Sequence, residues 1–233
     1  MKRVLVTGAS SGVGQAVALK FAGDGHGLYI TGRDAARLSQ TADICLGAGA
    51  KVVQKGIGDV SEENDVARHY SEALHALGGI DIAVLNAGVG RHGLLEDMSI
   101  ENFDLVFNTN VRGVFLWLKK ILPHMKERKS GQIIVISSVA GVQAFAGKSV
   151  YCASKFAVQG LVESLRAELS GTGVKAATIL PGVIATPWWE GPAGNHKGVQ
   201  APALTADDIA ANVAFIAYQS EKSDIDKVVV WPA

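Results

Sequence analysis

Cysteine is nearly missing from this chain: Cys45 and Cys152 are the only two in 233 residues. Two thiols so far apart make neither a disulfide framework nor a cysteine zinc motif, and they suit a reducing cytoplasm. An excess of one charge is missing too, since Lys plus Arg number 22 and Asp plus Glu number 22. A neutral chain has no electrostatic footprint for nucleic acid or an anionic membrane surface. The six histidines are scattered without HExxH or similar spacing, so no metal site is expected. No apolar run approaches bilayer-spanning length, and the basic opening MKRVLVTGAS is cut at Thr7-Gly8, too early for a signal peptide. Repeats, low-complexity tracts and linkers are also absent, which favours one domain over residues 1–233.

What the chain does have is apolar mass in short packets. Hydrophobic residues make up 48% and charged residues 19%, enough apolar material for a sizeable core. Runs rich in β-branched residues recur at 3–7, 27–31, 51–55, 80–86, 131–137, 174–180 and 226–231. Several are nearly continuous apolar stretches, as strands buried on both faces require. Helical stretches alternate with them near 12–23, 34–47, 61–78, 100–126, 150–170 and 206–219. Asp34, Ser61 and Ser99 are expected N-caps, and Thr205 with Asp208 reads as a capping box. This alternation predicts an α/β fold: a doubly wound (Rossmann) parallel sheet of about seven strands with helices on both faces. One segment departs from the pattern. Residues 181–204 are rich in Pro and Gly and carry the tandem Trp188-Trp189. We expect a substrate-binding lobe at about 185–204, mobile and closing over the cofactor.

The first strand runs into Thr7-Gly8-Ala9-Ser10-Ser11-Gly12-Val13-Gly14, which opens the first helix. A loop here that binds a dinucleotide must turn tightly, let backbone N–H groups approach a pyrophosphate, and pack the helix against the sheet. Glycine meets all three needs. The second strand ends at Thr31-Gly32-Arg33-Asp34. An acid at that strand end holds the adenosine ribose of NAD, whereas an arginine accommodates the 2′-phosphate of NADP. Gly32 leaves the acid position empty and Arg33 follows, so NADP(H) is favoured over NAD(H). Asp34 is a rival for the ribose, but it directly precedes a helix and reads more simply as its N-cap.

Residues 151–155 read YCASK, which puts a phenol and an ammonium four residues apart on one helix face. With TGASSGVG (7–14), GDV (58–60), LNAG (85–88), NVRG (110–113), ISS (136–138) and PGVIAT (181–186), this makes seven motifs in order. Over nearly its whole length the chain resembles the short, single-domain branch of the short-chain dehydrogenase/reductase superfamily. The resemblance implies hydride transfer between a nicotinamide and a carbonyl/alcohol pair. It implies a catalytic tetrad of Asn110, Ser138, Tyr151 and Lys155. It implies dinucleotide contacts from Gly8, Ser10, Ser11, Gly12, Val13 and Gly14, with adenine held at Asp59 and Val60. Asn86, Ala87 and Gly88 would support the ribose, as would Tyr151 and Lys155. Pro181, Gly182, Ile184 and Thr186 would position the carboxamide. It also implies a homodimer or homotetramer built through helices matching 101–126 and 150–170.

The residue types fit that chemistry. Carbonyl reduction needs a proton at oxygen as hydride reaches carbon. A free tyrosine titrates at about 10, and a nearby cation such as Lys155 is expected to lower that value. Ser138 would hydrogen-bond the substrate oxygen, and Asn110 would hold a water linking Lys155 to solvent. Each residue also has a plainer reading. Tyr151 could be a helix aromatic, Lys155 a solvated cation, Ser138 a loop polar and Asn110 a helix-interior amide. Cys152 reads as a packing residue. An alternative from another class is a non-catalytic dinucleotide-binding regulator that senses redox state. Members of that kind often lose the tyrosine or the lysine, and both are present here. Expected pocket walls at 89–96, 139–148 and 184–198 mix apolar residues with Arg91, His92, Lys148 and His196. They suit a modest carbonyl compound, including one that carries an acid group.

Overall fold

The computed structural model describes residues 1–187 and 202–233. Seven strands form one sheet: β1 (Arg3–Val6), β2 (Gly27–Gly32), β3 (Val52–Ile57), β4 (Ile82–Leu85), β5 (Gly131–Ile136), β6 (Val174–Pro181) and β7 (Lys227–Val230). Their spatial order is β3-β2-β1-β4-β5-β6-β7, and every neighbouring pair is parallel. The helices are α1 (Gly12–Gly23), α2 (Ala35–Gly47), α3 (Glu63–Leu77), α4 (Ile100–Phe107), α5 (Gly113–Glu127), α6 (Ser149–Glu168) and α7 (Ala206–Ala217).

Strand geometry explains why the runs are apolar throughout. Successive side chains point to opposite faces, and both faces are covered. Val4 and Val6 pack with Phe21, Leu38 and Val213 of α1, α2 and α7. Leu5, between them, joins Trp117, Ile121 and Val162 of α5 and α6 on the other face. Strand order reverses between β1 and β4: β2 and β3 are added on one side of β1, and β4 to β7 on the other. Ligands of doubly wound proteins bind in the crevice outside the strand ends at such a point.

The expected caps divide. Asp34 accepts from the N–H of Arg37, Ser99 from that of Asn102, and Thr205 with Asp208 completes a reciprocal capping box. Ser61 does not cap. Helix α3 starts after Glu62, and the Ser61 hydroxyl donates instead to Asp59 Oδ1 at 2.8 Å. The expected single helix over 100–126 is two helices joined by a π turn at Asn108–Arg112. Such turns are frequent at functional sites. The expected lobe at 185–204, with Trp188, Trp189 and His196, falls largely on 188–201, outside the described residues. Its base is described: Ile184 bridges Leu204, and the N–H of Ala185 donates to the Leu204 carbonyl at 2.8 Å.

Candidate active site

A cavity of about 540 Å³ runs along the carboxyl ends of the strands. At one end stand Ser10, Gly32, Arg33, Arg37 and Asp59; at the other, Ser138, Tyr151, Lys155 and Gly182. A volume of this size is in the range of ligand and cofactor sites.

The middle of the cavity is the glycine loop. Gly8 and Gly12 have φ of +66° and +56°, a region that glycine enters freely. A Cβ on Gly14 would lie 2.2 Å from the Gly8 carbonyl oxygen and 2.5 Å from Asn86 Nδ2. Only a bare backbone therefore lets the first turn of α1 pack this closely. Asn86 fastens the loop from β4: its Nδ2 donates to the carbonyls of Thr7 and Gly8 at 3.0 and 3.1 Å. The Thr7 hydroxyl in turn accepts from the N–H groups of Asn86 and Ala87. The N-cap of α1, Ser11, makes no side-chain cap bond. The loop and helix start that would receive a pyrophosphate are thus shaped and braced by neighbouring strands, and their residues fit a dinucleotide.

At the adenosine end, Arg33 pairs with Asp59 at 3.5 Å and Arg37 with Asp34 at 3.5 Å. Asp59 is held from two sides. Its Oδ1 accepts from the N–H and hydroxyl of Ser61, and its own N–H donates to Asp65. Val60 packs on Gly113, where an added Cβ would lie 2.8 Å from Val60 Cγ2. Asp34 is occupied as the cap of α2, and the strand-end position is glycine, as the sequence suggested.

At the far end, Tyr151 and Lys155 lie one turn apart on α6, with Lys155 Nζ 5.8 Å from the Tyr151 ring centroid. Lys155 is only 6% exposed, and its ammonium donates to the Ile136 carbonyl at 3.1 Å. Burial pushes the Lys155 pKa down to about 8. Tyr151 lines the cavity wall but is packed round by protein, and that desolvation pushes its pKa up to about 12. A hydrogen bond with the Ser138 side chain pulls the other way and only partly offsets burial. This corrects the expectation of a depressed phenol. Desolvation is the largest influence on it. Ser138 is oriented in turn by the Ala140 N–H, which donates to its Oγ at 3.1 Å.

Asn110 and Gly14 do not line the cavity; they stand behind its wall. Asn110 lies in the π turn, 1% exposed. Its amide donates to the Val89 carbonyl at 2.9 Å and to Ser154 Oγ at 3.0 Å, and its Oδ1 accepts from the Val89 N–H at 2.8 Å. Ser154 then donates to the Tyr151 carbonyl at 2.7 Å. The intervening Ser154 of YCASK, which looked like filler, thus joins the asparagine to the helix that carries the tyrosine. A Cβ on Gly88 would lie 3.3 Å from Asn110 Oδ1 and 3.6 Å from Lys155 Nζ. Every other expected site residue lines the cavity: Gly8, Ser10, Ser11, Gly12, Val13, Arg33, Asp59, Val60, Asn86, Ala87, Gly88, Ser138, Tyr151, Lys155, Pro181, Gly182, Ile184 and Thr186. Arg37, Phe145 and Trp231 line it without having been singled out. Arg37 lies in the first turn of α2, just past Arg33 and the N-cap Asp34. Among the described residues no cluster of His, Cys, Asp and Glu could hold a metal, and no helix is long and apolar enough to cross a membrane.

A glycine loop at the switch point, facing a tyrosine–lysine pair across one cavity, defines the doubly wound dinucleotide-binding class. Comparison with known proteins makes the assignment more specific. The short chain dehydrogenase family profile matches residues 2–193. The chain is 35% identical over 240 residues to a sepiapterin reductase of Chlorobaculum tepidum, covering 100% of this chain and 97% of that protein. An alcohol dehydrogenase from the archaeon Thermococcus sibiricus, solved with 5-hydroxy-NADP, superposes with a TM-score of 0.90 at 28% identity, covering 99% of this chain and 96% of that one. A metagenomic short-chain oxidoreductase in complex with NADP gives 0.86 at 32% identity, covering 99% and 97%. The chain belongs to the short-chain dehydrogenase/reductase family of oxidoreductases.

Proposed function

We propose that this protein is an NADP(H)-dependent reductase of small carbonyl compounds, with Tyr151 as the general acid. The observation that carries the reading is the convergence of Tyr151, Ser138 and Lys155 at one end of a cavity whose other end holds two arginines. When bound, a reduced nicotinamide supplies the hydride. Tyr151 gives its phenolic proton to the carbonyl oxygen, so the product is an alcohol. Because the phenol titrates at about 12, it carries that proton throughout the neutral range. Ser138 donates a hydrogen bond to the same oxygen and steadies its developing charge. Lys155 is charged below about pH 8 and holds the cofactor ribose beside Tyr151. Asn110 is a positioning residue, and a water relay returning a proton from solvent to Lys155 would pass beside it. Ser10, Arg33 and Arg37 receive the 2′-phosphate, which supports NADP(H) over NAD(H).

The reading includes a homodimer or homotetramer in the cytoplasm. Phe103, Phe115 and Phe156 of α4, α5 and α6 are 42%, 48% and 45% exposed, apolar area that a second copy would cover. The reading keeps a substrate-binding lobe at about 185–204, of which residues 188–201 lie outside the described residues. The test is NADPH oxidation against ketones, aldehydes, keto acids and quinones. Tyr151→Phe serves as the matched inactive variant, and dinucleotide binding is followed separately. A folded protein that binds NADPH yet reduces nothing, with Tyr151→Phe indistinguishable from the parent, would overturn the reading. Light scattering checks the assembly, and a monomer at working concentration would refute it.

A further inference from the structure

The GDV stretch at 58–60 opens with a glycine that the site so far leaves unexplained. What Gly58 supplies is space. A Cβ there would lie 2.6 Å from Asp65 Oδ2 and 2.7 Å from His69 Cε1. A bare backbone lets the first turns of α3 press against the loop that carries Asp59.

Every polar atom of Asp59 can be followed. Its N–H donates to Asp65 Oδ2 at 2.9 Å, and its carbonyl accepts from the Glu62 N–H at 3.1 Å. Its Oδ1 accepts from the N–H and hydroxyl of Ser61, at 2.9 and 2.8 Å, and its Oδ2 faces Arg33. Asp65 is the unusual member of this set. It is the third residue of α3, where an acid ordinarily reaches back to the N–H of the N-cap residue. Here the N-cap residue, Glu62, makes no cap bond with its own side chain and gives its N–H to Asp59. Asp65 passes over it to the Asp59 N–H. Arg68, one turn on, fixes the carboxylate by donating to Oδ1 at 2.6 Å, and the same nitrogen donates to the Ile57 carbonyl at 3.1 Å. The bonds from Asp59 and Arg68 hold the Asp65 carboxyl below the usual carboxylate range, so it is charged at neutral pH. A helix that forgoes a capping box and lends the acid to a neighbouring loop gives up local stability. That is the kind of exception a site explains.

We propose that Asp65 is a positioning residue for adenine: it sets the loop at which Asp59 and Val60 meet the base, and so contributes to discrimination among purines. The proposal rests on the dinucleotide reading of the cavity and adds a residue that does not line it. Adenine offers a donor, its exocyclic amine, beside an acceptor at N1, which a carboxylate and a backbone N–H complement. Hypoxanthine reverses both, with a carbonyl in place of the amine and a proton on N1. A loop held in place therefore penalises it, and a loosened loop does not.

The test compares NADPH with its hypoxanthine analogue by titration calorimetry on the parent, Asp65→Ala, Asp65→Asn and Arg68→Met. The parent should bind NADPH tighter by about tenfold or more, the worth of one charge-assisted hydrogen bond. In Asp65→Ala the affinity for NADPH should fall about tenfold and the ratio should close towards one. Asp65→Asn keeps an oxygen for the Asp59 N–H and should restore most of the ratio. Arg68→Met, at a half-exposed position, frees the carboxylate and should give a smaller loss of the same kind, so the test stands even if Asp65→Ala does not fold. Reduced nicotinamide mononucleotide, which has no adenosine, is the kinetic control: its kcat/KM with a carbonyl that the parent reduces should be equal in all four proteins. A loss that extends to the mononucleotide, or a purine ratio untouched in the folded variants, would assign Asp65 to the stability of α3 alone and overturn the proposal. So would a parent that binds the two dinucleotides equally. Purine discrimination that needs Asp65, with no carbonyl reduced, would sustain the proposal and overturn the reductase reading.

Discussion

The two ends of the cavity handle charge in opposite ways. At the adenosine end, Arg33 and Arg37 are 59% and 63% exposed and lean on Asp59 and Asp34 at 3.5 Å. Pairs so open to water are weak and exchangeable, screened within about 10 Å at moderate salt. A phosphate can replace either carboxylate at little cost. At the reaction end Lys155 is 6% exposed, and Ser138 and Tyr151 are partly buried. There, desolvation rather than pairing sets the protonation states, raising Tyr151 and lowering Lys155. One end is built to exchange partners. The other is built to hold a proton that solvent cannot easily take.

Removing the proton donor tests that contrast most severely. Tyr151→Phe keeps the ring and its contact with His92 but loses the hydroxyl. Turnover should fall by about 10²–10⁴-fold, the usual worth of acid–base assistance. NADPH affinity should hardly change, and near-parental turnover would sink the acid role. The next effect is on pH dependence. Since Tyr151 stays protonated to about 12 and Lys155 loses its charge above about 8, carbonyl reduction should be level up to about pH 7. Above about 8 it should fall, by up to tenfold per pH unit. A kcat/KM profile rising through pH 8 would show that Lys155 does not act as a cation. Lys155→Arg should carry the fall to higher pH, because guanidinium does not titrate there.

The exposed end should respond more mildly. Arg33→Ala should lower the NADPH-over-NADH ratio by about tenfold, worth one charge-assisted contact, and the loss should shrink as salt rises. A ratio unchanged at low salt would return Arg33 to the role of a surface residue. Converting preference outright with Gly32→Asp and Arg33→Ile meets a steric limit. A Cβ at Gly32 would lie 3.2 Å from both Cβ and Oγ of Ser10. The double variant should therefore gain NADH activity only a few-fold, and adding Ser10→Gly should improve it further. Full conversion by the pair alone would show that Ser10 yields freely.

Much of this was legible in the sequence because it rests on local rules. Most of the seven strands announce themselves as runs too apolar for a one-sided sheet, and the caps at Asp34, Ser99 and Thr205 follow from short-range hydrogen bonding. What was not legible depends on partners distant in the chain. Ser61 looked like a cap, but Asp59 claims its hydroxyl. Nothing in NTNVR announces a π turn. The shifts at Tyr151 and Lys155 come from burial by several elements, so spacing alone pointed to the wrong sign for the phenol. Arg37 was not singled out from the sequence; the fold places it on the cavity wall with Arg33. Trp231 reaches the cavity only because β7 runs parallel to β6 and ends beside Gly182.

The π turn at Asn108–Arg112 also limits how the gene for such a protein can change length. A regular helix advances about 100° per residue. A π turn takes up one residue more than the regular turn it replaces, so deleting one codon here would let α4 and α5 fuse into a regular helix with α5 still facing as it does now. Trp117 and Ile121, now 1% and 0% exposed, would keep their places in the core, while Asn110 would lose its reach to Val89 and Ser154. Secondary structure would improve and the core would survive while the site came apart. Insertions and deletions should therefore be purged from this stretch far more strictly than substitutions, although the sequence there resembles an ordinary helix.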